Sequence, residues 1–240
     1  MIEGATLIAL ALDSGARLDT FLHDGQAELE GQDLAVAERA GRAGARLVEL
    51  APGAMARVTD TVSPQAVAAV VTKPTWALAE LLADAVARGR PLLVLADVAD
   101  PGNAGTLMRS AEAAGCAGIV CCGGVDPFGP KTVRASAGAV FLVPVVEHPQ
   151  VRLALAALGD ARIHRVGLAA HGGAPLDSAD LRGPVAFVLG SESHGLPGGL
   201  DRALDEVVTI PMVGRGESLN VAMAGTLAVF EAARQRRTAT

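Results

Sequence analysis

From Pro91 to Met212 the chain repeats one pattern. A short apolar run is followed by a longer stretch with helical spacing, and then by another apolar run. The apolar runs are Pro91–Ala96, Gly118–Cys122, Val140–Val146, Val166–Ala170, Val185–Leu189 and Val207–Met212. The first, second and fifth contain no alternating polar residues, so such strands must be covered on both faces. Between them, Asn103–Ala114, Lys131–Ala137 and Gln150–Leu158 read as helices, and Val221–Gln235 closes the chain as another. Buried strands alternating with helices predict an α/β fold with a mainly parallel sheet. Asn103 reads as the N-cap of its helix.

Upstream, Leu7–Ala16 and Asp33–Ala43 look helical, and Leu18–Phe21 and Arg46–Leu50 look extended. Residues 1–72 therefore read as a small α/β unit. Thr72-Lys73-Pro74-Thr75 reads as a linker, because proline disfavours helix before it. Residues 73–90 combine that linker with a helix over Trp76–Arg88 that carries Trp76, Leu78, Leu81, Leu82 and Val86 on one side. Residues 91–240 form the main domain.

Composition narrows the function classes. The net charge of −6 argues mildly against nucleic acid, although one basic face suffices for phosphate binding. Cys116, Cys121 and Cys122 have no metal spacing, and an odd count with two adjacent suits a reducing cytoplasm. The apolar run Ala5–Leu12 is too short to span a bilayer and is flanked by Glu3 and Asp13, unlike a signal peptide. These features predict a soluble cytoplasmic protein.

Common catalytic signatures fail. Asp97–Gly105 lacks the third glycine of a dinucleotide fingerprint, and no Walker loop is present. In Gly190-Ser191-Glu192-Ser193-His194-Gly195 the serine stands one residue off the nucleophile-elbow spacing. The five histidines form no paired ligand set, so no metal site is expected. What remains is two strands that end in glycine-rich loops, 190–195 and 214–220, ahead of one helix. Such loops build a ligand pocket from backbone edges.

Three stretches then occur in order. Asn103-x-Gly105-x-x-x-Arg109 follows one strand, Leu189-Gly190-Ser191-Glu192-Ser193-His194-Gly195-Leu196 ends a later one, and Ile210-Pro211-Met212 leads to Glu217-Ser218-Leu219-Asn220-Val221-Ala222. Together they resemble the three motifs of the SpoU (TrmH-like) RNA 2′-O-ribose methyltransferases of the SPOUT superfamily. Val133–Ala139 is similar to a further segment of that family, and the likeness spans Leu92–Arg234. More loosely, Glu3-Gly4 and Ser63-Pro64-Gln65-Ala66-Val67 are similar to landmarks of the family's small N-terminal substrate-binding domain, which has a ribosomal-protein-like fold.

The resemblance implies a trefoil knot at the C-terminal end, S-adenosylmethionine as cofactor, a homodimer with its sites at the interface, and structured RNA (rRNA or tRNA) as substrate. It implies Gly190, Ile210 and Leu219 as cofactor contacts, and Arg109, Asn103, Glu192, Ser218 and Asn220 as catalytic-site residues. Gly190 would let backbone approach the adenosine, and Ile210 and Leu219 would supply apolar faces for the adenine. By resemblance Arg109 activates the 2′-hydroxyl. Chemically, a guanidinium suits stabilising a developing alkoxide or clamping the adjoining phosphate. Read singly, the same residues have plainer roles. Arg109 is three residues from Glu112 and could pair with it; Asn103 and Ser218 could be caps; Glu192 could be surface; Gly190 a turn; Ile210 and Leu219 core.

The sequence carries no basic segment ahead of Glu3-Gly4 and few aromatics for base stacking. RNA is therefore expected to be held by shape, phosphate contacts and the second protomer. The rival reading is a noncatalytic RNA-binding or regulatory module that keeps the fold; retention of Arg109, Glu192, Ser218 and Asn220 argues against it.

Overall fold

The computed structural model describes residues 1–25, 28–59, 61 and 63–238. The chain divides into two compact units, Met1–Pro74 and Thr75–Thr240. The first contains β1 (Ile2–Glu3), α1 (Ala5–Asp13), β2 (Leu18–Asp24), α2 (Gly31–Arg42), β3 (Arg46–Leu50), α3 (Met55–Val58) and β4 (Val67–Val71). Its strands form a mixed sheet in the order β1-β4-β2-β3, with β2 and β3 parallel. Ile8, Ala11, Val36, Ala37 and Ala40 are the buried residues of α1 and α2, and Phe21 of β2 is fully buried.

The second unit contains α4 (Leu78–Arg88), β5 (Leu92–Ala96), α5 (Pro101–Ala113), β6 (Gly118–Cys122), α6 (Pro130–Ala135), β7 (Val145–Glu147), α7 (Val151–Asp160), β8 (His164–Leu168), β9 (Ala174–Pro175), β10 (Val185–Leu189), β11 (Glu206–Thr209) and α8 (Val221–Thr238). Its sheet has the order β7-β6-β5-β10-β8-β11-β9, and every pairing in it is parallel. Every residue of β5, β6 and β10 is buried, as unbroken apolar runs require when both faces are covered. Cys121 and Cys122 lie inside β6 as small buried hydrophobes.

Several expectations need correction. The helix expected from Asn103 starts at Pro101, and its N-cap is Asp100, whose carboxylate accepts from the Asn103 amide at 2.7 Å. Proline at the first helical position loses no hydrogen bond there, because that N–H has no partner within the helix. The strand expected over Val140–Val146 forms only from Val145. Gly138, at φ 92, turns the chain into a short 3-10 segment over Ala139–Phe141. Trp76 precedes α4 and is exposed, as is Val86; the face that α4 buries is Leu81, Leu82 and Ala85. Residues 210–212 continue β11 in sequence but do not pair.

Helix α8 buries its small residues, Ala222, Gly225, Ala228, Ala232 and Ala233, along with Val229. Its large apolar residues Met223, Leu227 and Phe230 are exposed. At Gly225 a Cβ would overlap Leu107 of α5 and come within 2.8 Å of Leu189 of β10, so glycine sets how closely α8 approaches. A hydroxyl pair, Ser110 with Thr226 at 2.6 Å, ties α5 to α8 one residue further along.

Candidate functional site

The C-terminal ends of β5 and β10 lie side by side, with Leu95 in register with Leu189. The chain runs from β5 to β6 and β7 on one side, while β10 and β8 lie on the other. Such a reversal opens a crevice at the carboxyl ends of the strands, where α/β sheets bind ligands.

The loop after β10 is a closed turn. Ser191 and Gly195 exchange backbone hydrogen bonds, each at 2.9 Å, and the Ser191 hydroxyl accepts from the His194 amide at 3.1 Å. Gly195 takes a left-handed conformation, φ 65. A Cβ on Gly190 would overlap the Gly195 carbonyl and the Leu196 nitrogen. The space beside the bare backbone at Gly190 is thus filled by its own loop, in keeping with the plainer reading of Gly190 as a turn residue. Glycine here shapes the turn that holds Glu192.

That turn carries Glu192 across to the loop after β5. Its carboxylate accepts hydrogen bonds from the Ala99 and Asp100 amides, both at 3.2 Å, and from the Asn103 side-chain amide at 2.9 Å. The Asn103 oxygen in turn accepts from the side-chain amide of Asn220 at 2.9 Å. The Asn220 oxygen caps α8 by accepting from the Ala222 and Met223 amides at 2.9 and 3.3 Å. Three stretches far apart in sequence are therefore joined in one polar chain, Glu192–Asn103–Asn220.

Burial pushes the Glu192 carboxyl up, but the hydrogen bonds from Asn103 and from the Glu192, Ala99 and Asp100 backbone outweigh it and hold it below its ordinary value. Glu192 is ionised at neutral pH, which makes it an anchor for the two loops and a poor proton donor or acceptor.

The remaining sequence-predicted residues make no hydrogen bond to this network among the described residues. Arg109 lies nearly two turns along α5 from Asn103, about 9 Å in rise and roughly 120° round the helix. It is exposed and makes no hydrogen bond or ion pair among the described residues, so the pairing with Glu112 does not form. One turn before it, Gly105 sits so close to Ala135 and Ser136 that a Cβ would come within 2.6 Å of both. Ser218 and Leu219 are exposed in the unpaired 211–220 segment, and Ile210 is half-buried at its start. The cap of α8 is Asn220 rather than Ser218. The sequence reading missed Asp100, although Asp-Pro before an apolar periodic run is a known helix-start signal. It also missed the Ser110–Thr226 tie, which no spacing rule announces.

The site fits an adenosine-bearing ligand in kind. Half-buried Ile210 and exposed Leu219 flank the unpaired 211–218 segment in sequence, so that segment offers apolar side chains and backbone edges of the type such a ligand uses. Among the described residues no His, Cys, Asp and Glu cluster has metal-binding geometry, and no helix is long and apolar enough to cross a membrane.

Residues 90–230 match the SpoU rRNA Methylase family. The chain belongs to that family. Over its whole length this SpoU chain is 33% identical to the 23S rRNA (uridine(2479)-2′-O)-methyltransferase of Streptomyces viridochromogenes, covering 85% of that protein. It is 32% identical to the 23S rRNA (guanosine(2553)-2′-O)-methyltransferase RlmP of Bacillus subtilis, over 96% of this chain and 86% of the relative. Among solved structures it is similar to the SpoU methyltransferase AviRb of Streptomyces viridochromogenes in complex with AdoMet. That match has a TM-score of 0.83 and 29% identity, over 99% of this chain and 90% of the other. The network Glu192–Asn103–Asn220 thus lies wholly within the segment matched to the SpoU family.

Proposed function

We propose that this SpoU protein transfers a methyl group from S-adenosylmethionine to a ribose 2′-hydroxyl of structured rRNA. The observation that carries the proposal is the Glu192–Asn103–Asn220 network, which gathers all three motifs at the carboxyl ends of β5 and β10.

In this reading Gly190, Ile210 and Leu219 hold the cofactor, which when bound supplies a methyl group already activated on a sulfonium. The chain supplies placement and charge. Glu192 fixes the start of α5 against the 190–195 turn, and Asn220 fixes the start of α8 against α5. Arg109, a guanidinium cation on α5, stabilises negative charge on the ribose oxygen as its proton passes to water and the methyl group moves from sulfur to oxygen, or clamps the neighbouring phosphate. Ser218 and Asn220 border the ribose.

Four further parts belong to the same proposal. The C-terminal segment is knotted, as the resemblance implies. The protein is a homodimer. The exposed Met223, Leu227 and Phe230 of α8, about one turn apart on one face, supply an apolar seam that a second copy would cover. The Met1–Pro74 unit binds RNA substrate. The setting is cytoplasmic, in keeping with three unpaired buried cysteines.

Mapping 2′-O-methyl groups on cellular rRNA with and without the protein, and with Arg109→Ala, tests the proposal. A site that disappears in both the deletion and the variant is expected. An unchanged methylation map refutes it.

A further inference from the structure

A second feature lies at the other end of the same sheet. A cleft of about 470 Å³ is lined by Arg88, Gly89, Ala114, Arg182, Arg236 and Arg237, together with Ala233. It sits where α4, α5 and α8 end and β10 begins. Arg236 lies sixteen residues from Asn220 along α8, about 24 Å at 1.5 Å per residue. The cleft is therefore remote from the Glu192 network and holds neither cofactor nor reacting ribose.

Its charge runs against the chain as a whole. The protein carries 26 acidic and 20 basic residues, yet among the described residues no carboxylate lines this cleft. The plainest explanation for arginines at helix C-termini is that they cap the last carbonyls. Arg88, Arg182 and Arg237 have no bond of that kind among the described hydrogen bonds; Arg90, next to the cleft in sequence, donates to the Gly115 and Cys116 carbonyls beyond the end of α5, at 2.9 and 2.5 Å. Two of the lining arginines are instead held by carboxylates outside the cleft, Arg88 by Asp84 at 2.9 Å and Arg182 by Asp180 at 2.7 Å. The Arg182–Asp180 pair is exposed on both sides, and Arg88 is itself exposed while Asp84 keeps a second partner in Arg90, so both arginines can exchange their carboxylate for an anion at little cost. Planar guanidinium groups converging on one cleft suit phosphate oxygens, which they bind bidentately.

We infer that this cleft is a second anchor for the RNA substrate and grips backbone phosphates distant from the methylated ribose. The inference rests on the RNA-substrate reading above. It explains how a chain of net charge −6 with few aromatic residues holds RNA: a local basic cleft supplies the electrostatic attraction that the chain as a whole lacks.

The test uses the full chain, a structured rRNA fragment that the wild type binds, and the double variant Arg182→Gln/Arg237→Gln. Both side chains are exposed and neither belongs to the proposed catalytic machinery. The slope of log affinity against log salt should become shallower by about 0.7–0.9 for each phosphate that is no longer neutralised, so by roughly 1.5 for the pair. KM for RNA should rise by about tenfold at low salt while kcat and S-adenosylmethionine affinity stay the same. Arg182→Lys/Arg237→Lys should restore the salt slope, which a merely structural role would not produce. An unchanged slope in the glutamine variant overturns the inference. So does saturable binding of inorganic phosphate or a mononucleotide that the variant abolishes without altering RNA affinity, which would make the cleft a small-anion site. A slope change in a protein that methylates no RNA would uphold the cleft and refute the methyltransferase reading instead.

Discussion

Glu192 is the residue whose replacement is most informative, because its carboxylate holds two loops through three named hydrogen bonds. A buried hydrogen bond to a charged acceptor is worth about 1.5–3 kcal/mol. This carboxylate is exposed and two of its bonds are 3.2 Å long, so water screening reduces each to about 0.5–1 kcal/mol. Glu192→Ala should then cost about 1.5–3 kcal/mol, a Tm drop of roughly 3–12 °C for a chain of this size. Glu192→Gln is gentler. The amide oxygen can still accept from Asp100 and Asn103, but the NH₂ meets the Ala99 N–H donor to donor, for a cost of about 1 kcal/mol. The pH dependence separates charge from shape. Because folding holds the Glu192 carboxyl below its ordinary value, its contribution is fully present above the unfolded carboxylate range. It is lost as pH falls through the folded value. Differential scanning fluorimetry from neutral pH down into the acid range should therefore show the gap between wild type and Glu192→Gln closing. A glutamine variant as stable as wild type at neutral pH, or a gap that does not narrow in acid, would refute the role assigned to this carboxylate.

Further perturbations probe separate parts. Arg109→Ala should lower methyl transfer by at least about 10²-fold, the usual loss when a charge-stabilising donor is removed, with cofactor affinity and sedimentation unchanged; wild-type turnover would sink the assignment. Gly190→Ala places a Cβ on the Gly195 backbone, which cannot yield as a side-chain end can. It should cost about 1–3 kcal/mol and raise hydrogen exchange at Ser191 and Gly195, so a wild-type exchange pattern there would contradict the packing. Burial pushes the Cys116 and Cys121 thiols up to about 12 and Cys122 up to about 11. The native protein should resist iodoacetamide at mildly alkaline pH, whereas the unfolded chain reacts at all three; rapid native labelling is the contrary result. Leu227→Asp should turn a dimer into monomers in sedimentation velocity, since a carboxylate in the α8 seam has no partner there, and a persistent dimer would move the interface elsewhere.

The strands that bury both faces were the most legible part of the sequence. Gly118–Cys122 and Val185–Leu189 form over the limits that their apolar runs suggest, because nothing polar interrupts them and turn residues bound them. Local sequence failed where one residue overrides a run. Val140 and Phe141 are apolar enough for a strand, but Gly138 turns the backbone before them. The candidate site was legible as a set of residue types and not as a geometry. Periodicity cannot say that β10 lies against β5 across some ninety intervening residues, and that neighbourship alone brings Glu192 to Asn103. Nor could it tell that Gly190 makes room for Gly195, since a glycine demanded by a turn and one demanded by a ligand read alike.

The arrangement of α8 connects these observations. A helix that turns its alanines and Gly225 inward can approach α5 more closely than one that buries leucines, and its larger side chains are left facing outward. Close approach lets Ser110 reach Thr226 and, at the helix start, lets Asn220 reach Asn103. The helix that carries Arg109 is thereby fixed to the segment that carries Ser218 and Leu219, while Glu192 fixes its first turn to the 190–195 loop. Catalysis by positioning requires such rigidity, since small displacements of a charged group from the reacting atom are costly. The same choice of small residues inside and large residues outside also leaves an apolar seam on α8, so one sequence pattern both tightens the packing of α8 on α5 and leaves exposed the face that the proposed dimer would cover.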